Sequence, residues 1–359
     1  MTVFGVIGGY GSTGAVVVSE LRKAAAGEIL IGGRDARKGV RVDVLDAHSL
    51  DEFCGRCSII VNCAGPVMTL RDRVAQAAFR NRCHYVDVAG LGYVKEAMDP
   101  HGREIADLGL SYVVSAGWSP GLTELLPVCA HARAQAQMDS VDSLHAYFSD
   151  SGDWSDNAIR DGVWHLRRTG MPKPGYFRKG NWIPAKMSEA SCQVDLGDPI
   201  GKRRFSLYCM PEWNEAARRL QDCEAFNYTY LAGVRNAMAA MAIALLPVPE
   251  RTGVRLLRGV FRRNRLPLRG FVVAQVRGRS QGRPAVLTSR IVFGDGRDYW
   301  TAGVVPALVA RLIAQGNGVR PGVSYLSDAV DPVTFMAELR KAGVDQAETF
   351  TSERVQNKC

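Results

Sequence analysis

A glycine-rich segment close to the start of the chain is the feature that most restricts the fold. Gly8, Gly9, Gly11 and Gly14 separate a β-branched run from a helix-like run. The last three form a G-x-G-x-x-G pattern, in which the first glycine makes a tight turn, the second admits a diphosphate and the third allows a helix to pack closely on a strand. Backbone N–H groups at the start of such a helix attract phosphate.

This pattern predicts a dinucleotide-binding turn, with a purely structural turn as the alternative. The predicted contacts are Gly9, Tyr10, Gly11, Ser12, Thr13 and Gly14.

The residues after the second predicted strand indicate which dinucleotide is bound. Arg34 stands where a guanidinium can bind the 2′-phosphate of NADP(H), and Arg37 and Lys38 follow closely. The sequence therefore favours NADP(H). In the alternative, Asp35 binds the ribose hydroxyls and the cofactor is NAD. Asp46, after the third predicted strand, is expected beside the adenine or in an exposed loop.

The first third of the chain alternates strand-like and helix-like segments, as in a parallel sheet with crossover helices. Six strands are predicted, within residues 2–7, 28–33, 40–45, 58–64, 83–89 and 110–116. The six residues between Gly33 and Val40 are too few for a helical crossover, so a turn or a strand offset is expected there.

From about Ser140 the predicted strands become longer and partly alternating, which suits an α+β domain with a mixed or antiparallel sheet. The predicted fold class is α/β: a Rossmann doubly wound parallel sheet with an inserted α+β substrate domain. The predicted parts are a Rossmann dinucleotide-binding domain (residues 1–122), a substrate and dimerisation domain (123–297) and C-terminal helices that return to the Rossmann domain (298–359).

Composition indicates an ordinary globular protein, with 47% hydrophobic and 23% charged residues. The first residues enter a strand pattern without the features of a signal peptide, which predicts a cytoplasmic location. Nine scattered cysteines indicate reduced thiols. A zinc or redox site at Cys54 and Cys57 is the alternative to buried thiols, and the prediction is that no metal is bound.

A basic segment contributes much of the net charge of +9. Residues 251–269 contain seven arginines and no acid, and Arg251, Arg255, Arg258 and Arg262 recur at helical spacing. The favoured interpretation is a solvated helix face over a core. The alternatives are an anchor for substrate carboxylates or a partner, and contact with an anionic membrane surface. Nucleic-acid binding is not predicted, because no motif supports it.

Further candidates follow the carboxyl ends of later strands, where open α/β sheets bind their ligands. The fourth strand ends in Asn62, Ala64, Gly65 and Pro66, and these residues are expected to contact the cofactor. In the alternative, Asn62 only caps its turn.

Four segments of the first 130 residues carry a further set of motifs. They are GVIGGYGSTG from Gly5, IGGRD from Ile31, VNCAGPVMTLRDRVAQAAFRNRCHYVDVAG from Val61 and SAGWSPGLTELLP from Ser115. Together they resemble the saccharopine dehydrogenase (saccharopine reductase-like) family of NAD(P)-dependent oxidoreductases. The resemblance implies a Rossmann domain with an inserted α+β domain, commonly a homodimer, and chemistry on secondary amines, imines or amino acids.

Two departures from the family pattern argue against saccharopine itself as the substrate. Leu91 follows Gly90, where family members often carry a glutamate, and Ser119 precedes Pro120, where the saccharopine enzymes carry an aspartate. The resemblance therefore implies NADPH-dependent action on a C=N or C–N bond of another small amino-acid-derived molecule. The alternatives are a dedicated imine reductase of a secondary-metabolite or siderophore pathway, and a non-catalytic NADP(H)-binding scaffold or sensor with or without membrane association.

Reduction of an imine needs one group that delivers a proton. His165 is the first candidate, because the pKa of histidine lies near working pH, and Asp87 and Lys95 are further candidates. Two of them have a structural alternative: His165 as a packing residue and Asp87 as the cap of a turn. The predicted substrate contacts are Trp118, Ser119, Tyr147 and Lys179.

Overall fold

The computed structural model describes residues 1–150, 154–169, 173–186, 188–230, 233–263, 270–294 and 296–352. These residues form two compact units. The first unit comprises Met1–Leu122, Asp156–Asp161 and Gly296–Ala342, and the rest of the described chain forms the second.

The strands of the described chain are β1 (Val3–Ile7), β2 (Glu28–Gly33), β3 (Val40–Arg41), β4 (Ile59–Asn62), β5 (His84–Asp87), β6 (Ser111–Val114), β7 (Ser140–Asp150), β8 (Gly175–Arg178), β9 (Asn181–Pro184), β10 (Ser191–Asp195), β11 (Lys202–Leu207), β12 (Glu224–Tyr230), β13 (Gly270–Ser280), β14 (Arg283–Phe293), β15 (Gly322–Tyr325) and β16 (Gln346–Ser352). The helices are α1 (Ser12–Lys23), α2 (Ala47–Cys54), α3 (Val67–Leu70), α4 (Arg73–Arg80), α5 (Tyr93–Met98), α6 (Gly102–Asp107), α7 (Leu122–Gln135), α8 (Asp156–Thr169), α9 (Pro211–Arg218), α10 (Gly233–Leu245), α11 (Glu250–Arg263), α12 (Arg297–Ala314), α13 (Leu326–Ala329) and α14 (Pro332–Lys341), with a 3-10 turn at Asp99–His101.

The sheet of the first unit confirms the predicted doubly wound arrangement. Its strands lie in the order β15-β6-β5-β4-β1-β2-β3 and are all parallel. Strand β3 is only two residues long, and a turn in which the Lys38 N–H donates to the Asp35 carbonyl oxygen replaces a crossover helix before it. Strand order reverses between β1 and β4, which is where sheets of this kind bind ligands.

Helix α12 packs closely against α1 within the first unit. A Cβ on Gly303 of α12 would lie 2.6 Å from the Val16 Cβ and 2.8 Å from the Thr13 carbonyl oxygen. The sequence analysis identified α12 as a helix but missed this contact, because nothing local to Gly303 identifies its neighbour.

We therefore expect Gly303→Ala to destabilise the first unit by about 1–3 kcal/mol, since the new methyl group overpacks the α1–α12 contact. Gly102→Ala is the matched control, because a Cβ there would meet its nearest neighbour, the Val323 Cγ2, at 3.9 Å. Urea-induced unfolding of both variants measures the difference. A Gly303→Ala variant as stable as the control would show that the two helices separate without cost.

The second unit confirms the predicted α+β domain. Its sheet has the order β10-β11-β12-β7-β13-β14-β16, with β8 and β9 attached at β12. The β12–β7 pair is parallel and the other pairs are antiparallel, so the sheet is mixed. Aromatic rings fill its core, and Tyr147 lies between Tyr228 and Phe205 at ring-centroid distances of 5.2 and 5.1 Å.

The C-terminal part of the chain contains two strands that were not predicted. Helices α12 and α14 belong to the first unit and β15 joins its sheet beside β6, but β16 pairs with β14 in the second unit. The prediction that residues 298–359 return as helices is therefore wrong for 322–325 and for 346–352, while 353–359 lie outside the described residues. Strand β16 is mostly exposed and polar, so it lacks the buried apolar run that identified other strands. Residues 156–161, predicted within the second domain, lie in the first unit.

Candidate functional site

The turn after β1 takes its sharp bend at Gly8. Its φ of +77° lies in the left-handed region that favours glycine. Its N–H donates to the Gly32 carbonyl oxygen at 2.8 Å, and its own carbonyl oxygen accepts from the Gly11 N–H at 2.9 Å. The tight turn was predicted at Gly9, but it lies one residue earlier, at Gly8. Gly9 still has no room for a side chain, because a Cβ there would lie 3.0 Å from the Val6 carbonyl oxygen.

Gly11 and Gly14 have different roles at the start of α1. A Cβ on Gly14 would overlap the Gly8 carbonyl oxygen and lie 2.7 Å from the Gly9 Cα, so this position requires glycine for packing. Gly11 is exposed, and a Cβ there would meet only the Gly8 carbonyl oxygen, at 3.3 Å. Gly11 therefore leaves bare backbone on the outside of the turn.

The first turn of α1 is suited to an anion. Gly11 is the N-cap and supplies no side-chain hydrogen bond. The N–H groups of Ser12, Thr13 and Gly14 have no acceptor within the helix, since the first helical bond runs from the Ala15 N–H to the Gly11 carbonyl oxygen. Backbone donors and the positive end of a helix dipole therefore lie beside the bare glycine, and a diphosphate fits this arrangement.

Tyr10 links this turn to the end of β2. Its ring occupies the space that a side chain on Gly33 would need, and its hydroxyl accepts a hydrogen bond from the Asp35 N–H at 3.1 Å. The Lys38 ammonium lies 5.3 Å from the centre of the same ring, and Arg34 is exposed. The structure therefore places two cations at the end of β2, one of them over a ring that belongs to the glycine-rich turn.

The Asp35 carboxylate is already engaged. It accepts bonds from the Arg37 Nε and Nη2, both at 3.0 Å, and from the Arg37 N–H at 3.1 Å. The hydrogen bonds from the Arg37 side chain and backbone lower the pKa of Asp35 below its ordinary value. Asp46 is engaged as well, because it caps α2 by accepting from the His48 N–H at 3.0 Å.

Asn62 holds the turn that follows β4. It is buried, its Oδ1 accepts from the Ala64 N–H at 3.1 Å and its Nδ2 donates to the Tyr85 hydroxyl at 3.2 Å. This is the turn-capping role that the sequence left open. A Cβ on Gly8 would lie 3.0 Å from the Ala64 nitrogen, so the turns after β1 and β4 touch at the point where strand order reverses.

Two side chains that the sequence analysis missed hold the segment after this turn. The Asn157 Nδ2 donates to the Gly65 carbonyl oxygen at 3.1 Å, and the Asp161 Oδ1 accepts from the Met68 N–H at 3.1 Å. Burial raises the pKa of Asp161 to about 6, against the opposing effect of its backbone hydrogen bonds to Met68 and Val67. Both residues lie more than 90 residues after the backbone groups that they bind, so no local signal in the sequence connects them to this turn.

Asp87 and Lys95, predicted for catalysis, both have structural contacts in the first unit. The buried Asp87 carboxylate accepts from the Ser115 N–H at 2.9 Å and so ties the end of β5 to the end of β6. Lys95 pairs with Asp99 at 2.9 Å and lies 5.5 Å from the centre of the Tyr325 ring. These contacts match the turn-capping alternative for Asp87, and they show that the largely buried Lys95 side chain takes part in an ion pair with Asp99.

His165 lies in the part of α8 that belongs to the second unit. Burial, followed by the nearby positive charge of Arg168, lowers its pKa to about 4. The ordinary histidine pKa, on which its choice as a proton donor rested, therefore does not apply in this environment.

The predicted substrate contacts are divided between the two units. Trp118, nearly fully buried, and Ser119 follow β6 in the first unit. Tyr147 is buried in β7, and Lys179 is exposed at the turn between β8 and β9, both in the second unit. Burial raises the pKa of Tyr147 above its ordinary value, so its phenol is protonated at neutral pH.

Cys54, Cys57 and Cys83 are free thiols that lie close together. The Cys83 Sγ donates to the carbonyl oxygens of Cys54 and Cys57, both at 3.2 Å, and burial raises the pKa of Cys57 to about 12. Among the described residues, ligand atoms of three other side chains lie within 4.8 Å of one another: those of His131, Asp222 and Cys223.

The Asp222 carboxylate in this group is bonded to the His131 Nε2 at 2.8 Å and to the Gln135 Nε2 at 2.9 Å. Burial raises the pKa of Cys223 to about 12. Because the Asp222 carboxylate already has these two side-chain partners, we propose no metal site there.

No helix in the described part of the chain combines the length and the apolar character needed to cross a membrane.

The fold and the glycine-rich turn together define a two-domain α/β protein of the Rossmann class. No family model matches the chain. A human protein named saccharopine dehydrogenase-like oxidoreductase is 25% identical over 173 residues, and one of the same name from Pongo abelii is 24% identical over 169 residues. Each match covers 46% of this chain and only 38% of the relative.

Apo saccharopine dehydrogenase (L-Glu forming) from Saccharomyces cerevisiae has a similar structure. The TM-score is 0.66 at 13% identity, over 98% of this chain and 100% of the yeast chain. This similarity establishes the fold. With the two curated relatives, it confirms the predicted resemblance to the saccharopine dehydrogenase family.

Proposed function

We propose that the protein is an NADP(H)-dependent oxidoreductase that acts on a C=N or C–N bond of a small amino-acid-derived molecule. The observation that carries this proposal is the start of α1, where exposed Gly11 leaves bare backbone beside N–H groups without helical acceptors. The turns after β1 and β4 touch at the same edge of the sheet, which is where folds of this kind bind their ligands.

The preference for NADP(H) rests on charge at the end of β2. Arg34 and Lys38 are exposed cations, whereas the Asp35 carboxylate is paired with Arg37. Two nearby cations would stabilise a bound 2′-phosphate through charge-assisted hydrogen bonds. A 2′-hydroxyl would instead be bound by the Asp35 carboxylate, which would have to leave its guanidinium partner. The arrangement therefore favours the phosphorylated cofactor.

The proposed chemistry is hydride transfer, which the nicotinamide supplies when the cofactor is bound. The residues of this chain hold the cofactor in place: backbone donors of α1 bind the diphosphate, and Asn62 fixes the turn after β4. Asn157 and Asp161 hold the following segment by its backbone. A rigidly held ring lowers the entropy cost of bringing donor and acceptor carbons together.

The substrate class rests on the names of the relatives. The human relative is named a saccharopine dehydrogenase-like oxidoreductase, and the yeast protein is a saccharopine dehydrogenase. Leu91 and Ser119 replace the carboxylates expected on the substrate side, so we propose an amine or imine other than saccharopine.

Calorimetric titration with NADPH and NADH tests the cofactor assignment. We expect Arg34→Ala to weaken NADPH binding about tenfold, since a charge-assisted bond to phosphate contributes roughly 1.5–3 kcal/mol, and to change NADH binding by less than about twofold. Arg22→Ala, at the exposed end of α1, is the control and should change neither affinity. Equal losses for both cofactors would remove Arg34 from this role.

Turnover is tested separately, by following NADPH absorbance with mixtures of keto acids and amines. Steady oxidation of NADPH supports the proposed reductase. Cofactor binding without turnover across a broad panel would instead support a scaffold or sensor.

A further inference from the structure

Helix α10 and the loop after it expose large apolar side chains to solvent. Met238, Met241, Leu245 and Leu246 fall within nine residues and have exposures of 61%, 43%, 59% and 56%. The first three recur at intervals of three and four residues, so they lie on one face of α10. Clustered exposure of this kind marks an interaction surface far more often than single exposed residues do.

The opposite face of α10 is packed, which fixes the direction of the exposed face. Ile243 is fully buried and Ala239 nearly so. The fully buried Asn236 donates its Nδ2 to the Val260 carbonyl oxygen of α11 at 3.2 Å. The exposed face therefore does not contact α11.

Helix α11 is held to the second unit by its own apolar side. Leu257 and Val260 are buried, and Phe261 stacks on Trp154 with ring centroids 4.1 Å apart. Arg167 donates to the Val248 carbonyl oxygen in the loop between the two helices. The hairpin of α10 and α11 is thus fixed in place with its apolar face already formed.

The same hairpin is strongly basic. Residues 233–263 contain six arginines and a single acid, Glu250, which gives a net charge of +5 out of +9 for the whole chain. Arg251, Arg255 and Arg262 are exposed. They confirm the predicted helical face of this segment as far as residue 263, while 264–269 lie outside the described residues. Arg251, the second residue of α11, follows Leu246 by only five residues, so the charge is close to the apolar tip in the chain.

We propose that the α10–α11 hairpin is a docking surface for an anionic lipid bilayer. Met238, Met241, Leu245 and Leu246 insert between the headgroups, and exposed arginines of α11 bind the lipid phosphates and carboxylates. An apolar face bordered by arginines is the composition of helices that lie in the plane of a membrane interface. Docking of this hairpin on a second copy would instead bring two strongly basic segments together, and like charges brought into contact cost several kcal/mol.

The test is co-sedimentation of the full-length protein with vesicles of stated composition. We expect binding to phosphatidylcholine vesicles that contain about 30 mol% phosphatidylserine, and at least tenfold weaker binding to pure phosphatidylcholine. Raising NaCl from about 0.1 M to about 0.5 M should weaken the binding at least tenfold, because salt screens exposed charges.

Two double variants separate the apolar and the charged contributions. Met241→Ser with Leu245→Ser should lower the partition coefficient on the order of 100-fold, since each buried apolar side chain contributes about tenfold or more. Arg251→Gln with Arg255→Gln should lower it roughly 25-fold, at about fivefold per arginine near an anionic surface. The matched controls are Leu108→Ser and Arg56→Gln, which change exposed residues of the first unit. These two variants should bind the vesicles as the wild type does.

Because all substituted positions are exposed, the variants should melt within about 2 °C of the wild type and keep their affinity for NADPH. This proposal does not depend on the proposed enzyme function. It is overturned if vesicle binding is absent, if it is equal for charged and neutral vesicles, or if both double variants bind as the controls do. A dimer that Met241→Ser with Leu245→Ser dissociates, without vesicle binding, would assign the face to a second copy.

Discussion

Replacing Gly11 with valine is expected to leave the fold intact and to weaken NADPH binding at least on the order of 100-fold. The backbone of Gly11, with φ −74° and ψ 171°, is open to any residue, and a Cβ there meets only the Gly8 carbonyl oxygen at 3.3 Å. The valine side chain would fill the exposed space above the start of α1. Two lost hydrogen bonds between backbone N–H groups and the diphosphate would cost roughly 3–6 kcal/mol.

Gly14→Val is the matched comparison. Its Cβ would overlap the Gly8 carbonyl oxygen, so this variant should lose stability as well as binding. Calorimetric titration of both variants measures NADPH affinity, and thermal unfolding measures stability. Together they distinguish a glycine that leaves the binding surface bare from one that is required for packing. NADPH affinity in Gly11→Val close to that of the wild type would contradict a diphosphate at this turn, even if the fold is intact.

Replacing Asp161 with asparagine should stabilise the protein above pH 7, by up to roughly 2–3 kcal/mol. The folded-state pKa of about 6 lies above the ordinary value of 3.8, so burial opposes the charged carboxylate. A shift of about two pH units corresponds to roughly 2.7 kcal/mol. The amide removes the charge and keeps one oxygen that accepts from the Met68 N–H, but its Nδ2 cannot accept from the Val67 N–H, so this value is the upper limit of the gain.

The pH dependence has a definite sign. Between pH 4 and 6 the folded wild type binds more protons at Asp161 than the unfolded chain does, so this group's contribution to stability falls as pH rises and levels off above about pH 7. The stability gained by Asp161→Asn should therefore be small near pH 4 and largest above pH 7. Urea unfolding across this range measures it, with the exposed Asp107→Asn as the control. A difference independent of pH would show that Asp161 is not the titrating group.

The sequence was sufficient to predict six of the seven strands of the first sheet, because most of these six are short buried apolar runs separated by recognisable turn and helix patterns. All four residues of β4 and of β6 are buried, for example. Strand β15 was not predicted. The glycine spacing also located the candidate site. It did not show which glycine bends, since Gly8 and Gly9 are adjacent and only the backbone geometry identifies Gly8.

The remaining features of the site depend on contacts between distant parts of the chain. Asn157 and Asp161 reach the Gly65–Met68 segment from more than 90 residues away, and a single sequence carries no signal of such a contact. The pKa of His165 also depends on the three-dimensional structure. Burial lowers this pKa, and the helical sequence pattern around Trp164 does not show that the histidine is buried. Titration behaviour therefore could not be predicted from residue type alone.

The glycine-rich turn belongs to a unit that is discontinuous along the chain. Gly303 of α12 lies against Val16, β15 completes the sheet beside β6, and Asn157 binds the Gly65 carbonyl oxygen. A protein truncated after Leu122 would lack all three contacts and would expose the apolar side of α1. The unit that carries the glycine-rich turn is therefore completed by two later segments of the chain, and a fragment that ends at Leu122 lacks both of them.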